Sequence, residues 1–185
     1  MPNRGQRTEL FAQFVGGPLG GDKKFYTLEL KTAWYFRGFV PGHILEVVGR
    51  TAVAESLESE DVPFYERYYL GGLYSLRGFK YRSISPREPN FTEPIGGDTY
   101  WFGSAEYSIP IIERLRFAFF YDIGNVAARP YDYNLDNLND NFGFGIRLNL
   151  PIGPLRLDYG IPIRHDQYNS GSGRFQFGVG YTREF

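Results

Sequence analysis

The sequence predicts an all-β protein, an antiparallel transmembrane β-barrel to which this chain gives eight strands, and three observations predict it. Segments of ~10 residues alternate apolar and polar side chains with period two, as in a wall that meets lipid on one face and a polar lumen on the other. Fifteen Tyr and 17 Phe accompany a mean hydropathy of -0.36, so ring surface is interleaved with polar residues, and no run of about 18 apolar residues offers a transmembrane helix. Connections alternate between short and long, as in barrels with tight turns at one rim and extended loops at the other. The chain reads as a single domain, 1–185, either closed alone or supplying half of a wall of about sixteen strands.

The first strand is the weakest: Leu10, Ala12 and Phe14 oppose Glu9, Phe11 and Gln13. In the second, Tyr26, Leu28, Leu30, Thr32, Trp34 and Phe36 share a face opposite Glu29 and Lys31, because successive strand side chains point to opposite sides. The third sets Leu45, Val47, Gly49, Thr51 and Val53 against Glu46, Val48 and Arg50. The fourth sets Thr99, Trp101, Ala105, Tyr107 and Ile109 against Tyr100, Ser104, Glu106 and Ser108; the fifth sets Leu115, Phe117, Phe119, Tyr121 and Ile123 against Arg116, Ala118, Phe120 and Asp122. The sixth opposes Phe142, Phe144, Ile146, Leu148 and Leu150 to Arg147 and Asn149, and the seventh opposes Leu155, Leu157, Tyr159 and Ile161 to Arg156 and Asp158. The last strand, 174–185, carries Phe175, Phe177, Val179 and Tyr181 on one face, with Gln176, Gly178, Gly180 and Thr182 on the other, and ends at Phe185. Inward glycines there suit a crowded or sharply curved wall, or mark a bulge.

Segments 37–42, 110–114 and 151–154 are the short connections; 16–24, 56–97, 125–141 and 162–173 are the long ones. In an outer-membrane barrel the short turns face the periplasm, and an even strand number returns both termini there. A soluble sandwich also has short strands with frequent turns, but it would bury its aromatic residues in one core and needs no ring stripe on every strand. A formal net charge of -1 gives no electrostatic footprint for nucleic acid, and the lack of Cys discriminates little between compartments. The start has no basic segment followed by an apolar one, so a chain bound for the envelope is expected to have lost its signal, with Met1 opening a fragment.

Chemistry concentrates in the loop 56–97, where Gly71-Gly72 precedes Leu76-Arg77-Gly78-Phe79. A guanidinium carried into a lumen needs fixed partners to replace its hydration, and its planar fork holds carboxylates bidentately. The alternation places Glu106 and Asp122 on the inward faces of neighbouring strands. Two inward carboxylates could also be read as an acid/base pair, but a neighbouring Arg would keep both ionised. His43 and His165 fall in a turn and a loop without Cys or a carboxylate cluster, so no metal site is expected. Gly16-Gly17 and Gly20-Gly21 precede no helix and offer no phosphate cradle, and no nucleophile elbow is found. No cofactor is expected.

Leu76-Arg77-Gly78-Phe79, with 64–69 before it, Ala105-Glu106-Tyr107, then 120–126 and 153–159, resembles in order the C-terminal barrel half of the BamA/TamA-type outer-membrane assembly superfamily, which includes the two-partner secretion transporters. Leu76 replaces the commoner Val of that motif, and Phe185 lies two residues past the usual closing aromatic position, which Arg183 occupies. The resemblance implies that Arg77 pairs with Glu106 and Asp122, and that Gly78 permits tight passage or positive φ. Phe79 would then pack on apolar lumen surface. It further implies a non-enzymatic protein of the outer membrane that inserts unfolded outer-membrane proteins by templating strands at a lateral seam bordered by the last strand. A polypeptide-secreting pore, or the membrane anchor of a larger protein such as a patatin-like lipase, are the alternatives. The periplasmic docking domains usual in such proteins have no counterpart in the sequence. An eight-stranded interior is filled by side chains, so the loop either lies outside a small closed barrel or enters a wall of about sixteen strands completed by a second copy or a missing N-terminal half.

Overall fold

The computed structural model describes residues 4–17, 20, 23–89, 92–150 and 153–179. Eight strands follow in chain order: β1 (Gly5–Val15), β2 (Phe25–Arg37), β3 (Ile44–Ser56), β4 (Thr99–Ile112), β5 (Leu115–Ala127), β6 (Asn139–Leu150), β7 (Gly153–Arg164) and β8 (Arg174–Val179). A single 3₁₀ turn, Phe64–Glu66, interrupts the long loop. No helix among the described residues is long and apolar enough to cross a membrane.

Every strand pairs antiparallel with the next, giving one sheet in the order β1 to β8. Among the described residues no ladder joins β8 to β1, so both form edges. The two-residue side-chain period assigns the faces as the sequence predicts. Leu28, Leu30, Trp34, Phe36, Phe119, Phe142, Phe144 and Ile146 stand exposed on the outer face. Ala33, Tyr35, Ala52, Phe102, Ala118 and Phe120 are buried on the inner one. A soluble sandwich would invert this, hiding the large side chains between two sheets.

The apolar core lies in the concavity of the sheet and is half supplied by the loop. Leu70, Leu76, Phe79 and Ile84 of the loop pack on Ala52, Tyr100, Phe102 and Val126 of β3, β4 and β5. Removing these loop side chains from water is what holds the loop inside, since each large apolar side chain contributes about 1.5–3 kcal/mol on burial. Backbone bridges Tyr68–Gly97 and Leu70–Ile84 tie the outgoing and returning legs together. The loop therefore occupies the inner face of the eight-stranded sheet and does not lie outside it.

Several strands run past their expected ends. β5 continues through Gly124 and Asn125 to Ala127, β6 begins at Asn139, and β7 continues through Pro162 to Arg164. Asn139, Asp140 and Asn141, which fall in the connection 125–141 read from the sequence, are buried and paired with β5. The turn expected from Pro110 is instead the end of β4, where a register shift between Pro110 and Ile112 absorbs the missing N–H. Tyr181 and Phe185 of the expected last strand lie outside the described residues.

Candidate functional site: an ionic cluster beneath the long loop

The loop turns sharply where the sequence places its glycines. Gly71 and Gly72 have φ of +105° and +109°, and a Cβ on Gly71 would strike the Lys80 carbonyl. Only glycine adopts such backbone without strain. Gly72 N–H donates to Leu76 O at 3.1 Å and Phe79 N–H donates to Leu76 O at 3.1 Å, closing two tight turns around the motif. Leu76, Arg77, Gly78 and Phe79 are all buried.

Gly78 serves close approach rather than positive φ: a Cβ there would lie 2.9 Å from Asn141 Cβ and 3.1 Å from the Pro162 ring. The wall reciprocates, since a Cβ on Gly160 of β7 would lie 2.6 Å from Gly78 N and 2.7 Å from Arg77 C. The inward glycine of β8, Gly178, faces the Leu73 side chain, which fits the crowded wall read from the sequence.

Arg77, 3% exposed, reaches two strands at once. Its Nε donates to Asp122 Oδ2 at 2.8 Å and its Nη2 to Asp122 Oδ1 at 2.6 Å, while Nη1 donates to Glu106 Oε2 at 2.6 Å. Nη2 also donates to Ser104 Oγ at 3.1 Å, and the guanidinium carbon lies 3.5 Å from the Phe120 ring centroid. The wall organises the acceptors. Ser104 and Asp122 are cross-strand partners, and the Ser104 hydroxyl donates to Asp122 Oδ1 at 2.7 Å; Asn141 Nδ2 donates to Oδ2 at 3.0 Å. Glu106 lies opposite Phe120 in the same ladder, so the ring that carries the guanidinium and the carboxylate that caps it share one register.

The cluster is larger than the trio read from the sequence. Arg147 on β6 donates through Nη2 to Glu106 Oε2 at 2.8 Å and through Nη1 to Asp158 Oδ1 at 2.5 Å. Arg156 on β7 donates through Nε to Asp158 Oδ2 at 2.6 Å and through Nη2 to Glu106 Oε2 at 3.3 Å. Asp158 is fully buried, and Gly145, directly across the ladder, leaves the space its carboxylate occupies. Arg147, Arg156 and Asp158 were legible as inward polar residues. The signal that unites them is the register, which sets Arg147 opposite Arg156 and so places two cations where nearby carboxylates must balance them.

Three guanidinium groups and three carboxylates thus interlock without surplus charge. Such pairs are stable in low dielectric only when geometry and hydrogen bonding are nearly complete, and removing one member typically costs about 3–5 kcal/mol. Both Glu106 and Asp122 are filled by fixed donors, an arrangement suited to bracing and not to proton transfer.

Nearer the rim, Asp98 precedes β4 on the loop's returning leg. Burial pushes its carboxyl up to about 6, against the pull of the Arg67 guanidinium 3.9 Å away and with a further upward push from Asp61. His43 Nδ1 lies 2.9 Å from the Tyr107 hydroxyl, and His165 Nδ1 lies 2.8 Å from the Asp166 carbonyl. No group of metal-binding side chains occurs among the described residues. Phe175, Phe177 and Val179 point outward from β8 and are exposed.

Residues 1–182 match the Omp85 superfamily domain. The outer membrane protein assembly factor BamA of Nitratidesulfovibrio vulgaris is 37% identical over 97% of this chain and 23% of its own length. The SAM50-like protein CG7639 of Drosophila melanogaster is 30% identical, over 70% of this chain and 30% of its own. The crystal structure of BamA from Haemophilus ducreyi lacking POTRA domains 1-3 superposes with a TM-score of 0.82 at 26% identity, covering 95% of this chain and 38% of that one. The chain therefore spans about a quarter of the length of the first of these relatives.

Proposed function

We propose that this chain, which belongs to the Omp85 superfamily, forms the C-terminal part of an outer-membrane barrel that assists insertion of other outer-membrane proteins, with its short turns and termini on the periplasmic side. One observation carries the reading: the Arg77 loop fills the inner face of a sheet whose two edges, β1 and β8, have no ladder partners among the described residues. Unpaired strand edges are costly in lipid, where water cannot satisfy the backbone, so the wall is completed by strands from a preceding barrel half or a second copy. An edge satisfied only weakly is a template on which an incoming strand can pair.

Folding and burial in lipid supply the driving force, and no nucleotide or cofactor takes part. The name of the Nitratidesulfovibrio vulgaris relative, an outer membrane protein assembly factor, favours this over secretion of a polypeptide. The ionic cluster is then structural machinery: it fixes the loop, and the loop fixes the lumen around which the seam works.

The test is folding kinetics. A urea-unfolded eight-stranded outer-membrane barrel is diluted into lipid vesicles with or without the barrel that contains this chain, and folding is followed by heat-modifiable gel mobility. Faster folding in the presence of the barrel is the expected result. Equal rates would overturn the assembly reading.

A further inference from the structure

We infer that the loop has a second docking point, on the terminal strand, where Gln176 and Gly178 receive segment 73–79 and hold β8 against it. Among the described residues β8 is otherwise secured from one side only. Its ladder to β7 runs from Gly160–Arg174 to Leu155–Val179, its other edge has no ladder partner among the described residues, and its outward side chains Phe175 and Phe177 are 69% and 62% exposed. Support beyond that single ladder comes from its inward face.

Two contacts provide it. Gln176 Nε2 donates to the Phe79 carbonyl at 2.8 Å, reaching the backbone of the Arg77 motif itself. Two residues on, Gly178 leaves a gap that the Leu73 side chain enters, and a Cβ there would collide with Leu73 Cδ2. Between β8 and the ionic cluster the loop backbone rests on Gly160 of β7 and on Asn141 of β6. The strip is continuous: β4 and β5 grip Arg77, β6 and β7 seat Gly78, and β8 takes Phe79 and Leu73.

Gln176 is a positioning residue in this scheme. Its Oε1 is buried without a partner among the described residues, so the amide's one polar contact there is the bond to Phe79. A Gln176→Leu change removes that bond together with the unpartnered Oε1 and leaves the Phe79 carbonyl without its donor, so its cost falls on the contact between β8 and the loop. Because the contacts are shared, freeing the loop loosens β8, and freeing β8 loosens the loop by the same factor. The inference rests on the proposed role of β8 as the seam strand, but its test reads strand opening and not assembly.

Amide hydrogen exchange of the barrel in detergent micelles decides it. Gln176→Leu is expected to raise exchange in 174–179 and in 73–79 about fivefold to tenfold, the loss of roughly one hydrogen bond, while β4 to β6 stay protected. Arg77→Ala is expected to raise exchange in 174–179 as well, and an outward Phe177→Leu change is not expected to raise it in 73–79. Leu73→Ala, which leaves the wall untouched, provides the same reading should Gln176→Leu fail to fold. Unchanged exchange of 174–179 in both the Arg77→Ala and Leu73→Ala proteins would overturn the inference, whatever the folding assay gives. Raised exchange with no effect of the barrel on substrate folding would leave the docking point standing and remove the seam function.

Discussion

Arg77 and Asp122 face each other fork to fork, with Nε–Oδ2 at 2.8 Å and Nη2–Oδ1 at 2.6 Å, in a site where neither side chain meets solvent. A pair of this geometry cannot lose one member without stranding the other, and that sets the first expectation. Arg77→Ala leaves Asp122 and Glu106 buried with a deficit of donors and destabilises the docked loop by about 3–5 kcal/mol. Limited proteolysis is expected to cut within 57–98 far faster than in the parent protein. Arg77→Lys restores charge but not the bidentate fork, and is expected to rescue only partly.

Gly160 tests the backbone side of the same docking. A methyl group there meets Gly78 N and Arg77 C at 2.6 and 2.7 Å, and these are backbone atoms that cannot swing aside. Gly160→Ala is expected to lower the unfolding transition by about 1–3 kcal/mol and to increase cleavage of the loop. Gly103→Ala, on the outward-facing side chain row with only Ile123 Cγ2 at 3.4 Å, is expected to change neither.

Arg147 bridges Glu106 and Asp158 and is buried, whereas Arg156 is 21% exposed at its side chain. Arg147→Met is therefore expected to be more damaging than Arg156→Met. Pairing it with Asp158→Leu removes one cation and one anion together, and the double variant is expected to be more stable than the sum of the single changes. Thermal or denaturant unfolding in detergent, arranged as a double-mutant cycle, gives the coupling directly.

The Asp98 carboxyl predicts a pH response. Its folded value of about 6 lies above the usual Asp range near 4, so the folded loop binds the extra proton between those limits. Folding stability contributed here is present below about pH 4 and falls as pH rises through 6. Asp98→Asn is expected to flatten this dependence and to leave the loop better protected than the parent at pH 7. Protease resistance measured from pH 4 to 8 checks it; identical profiles for both proteins would exclude the carboxyl as the source.

Among the described residues neither β1 nor β8 has a ladder partner on its outer edge, and this gives a prediction about mass. Two unpaired edges favour association, so native mass spectrometry of the isolated chain refolded in detergent is expected to detect two copies. A mass of one chain would mean that the edges close on each other and that the loop leaves the position it occupies here.

Much of this architecture was legible in period-two alternation, because each strand is greasy on one side and polar on the other and the sheet preserves that split. Strand ends were less so. Asn125 and 139–141 fall in the connection read from the sequence and Gly124 lies past the last residue assigned to its strand, yet Gly124 is held in the ladder because its bare Cα admits Leu70 of the loop, and Asn141 is held because its amide serves Asp122. Prolines misled in the same way: Pro162 sits in β7 beside a register shift between Asp140 and Asn141, where the missing N–H is tolerated. At the site, alternation tells which residues point inward but not which share a height in the lumen. Arg147 and Asp158 were therefore visible as inward groups, whereas their junction with Glu106 depends on a register that only the assembled sheet fixes.

The ionic cluster is electrically whole only while Arg77 is seated; the strands alone carry two guanidinium groups and three carboxylates. A partly lifted loop would leave an orphan negative charge in a place with little water to screen it. Intermediate positions are therefore unfavourable, and loop release becomes a threshold event between two discrete states rather than a graded slide. The vacated site would keep one net negative charge, which draws the guanidinium back into place.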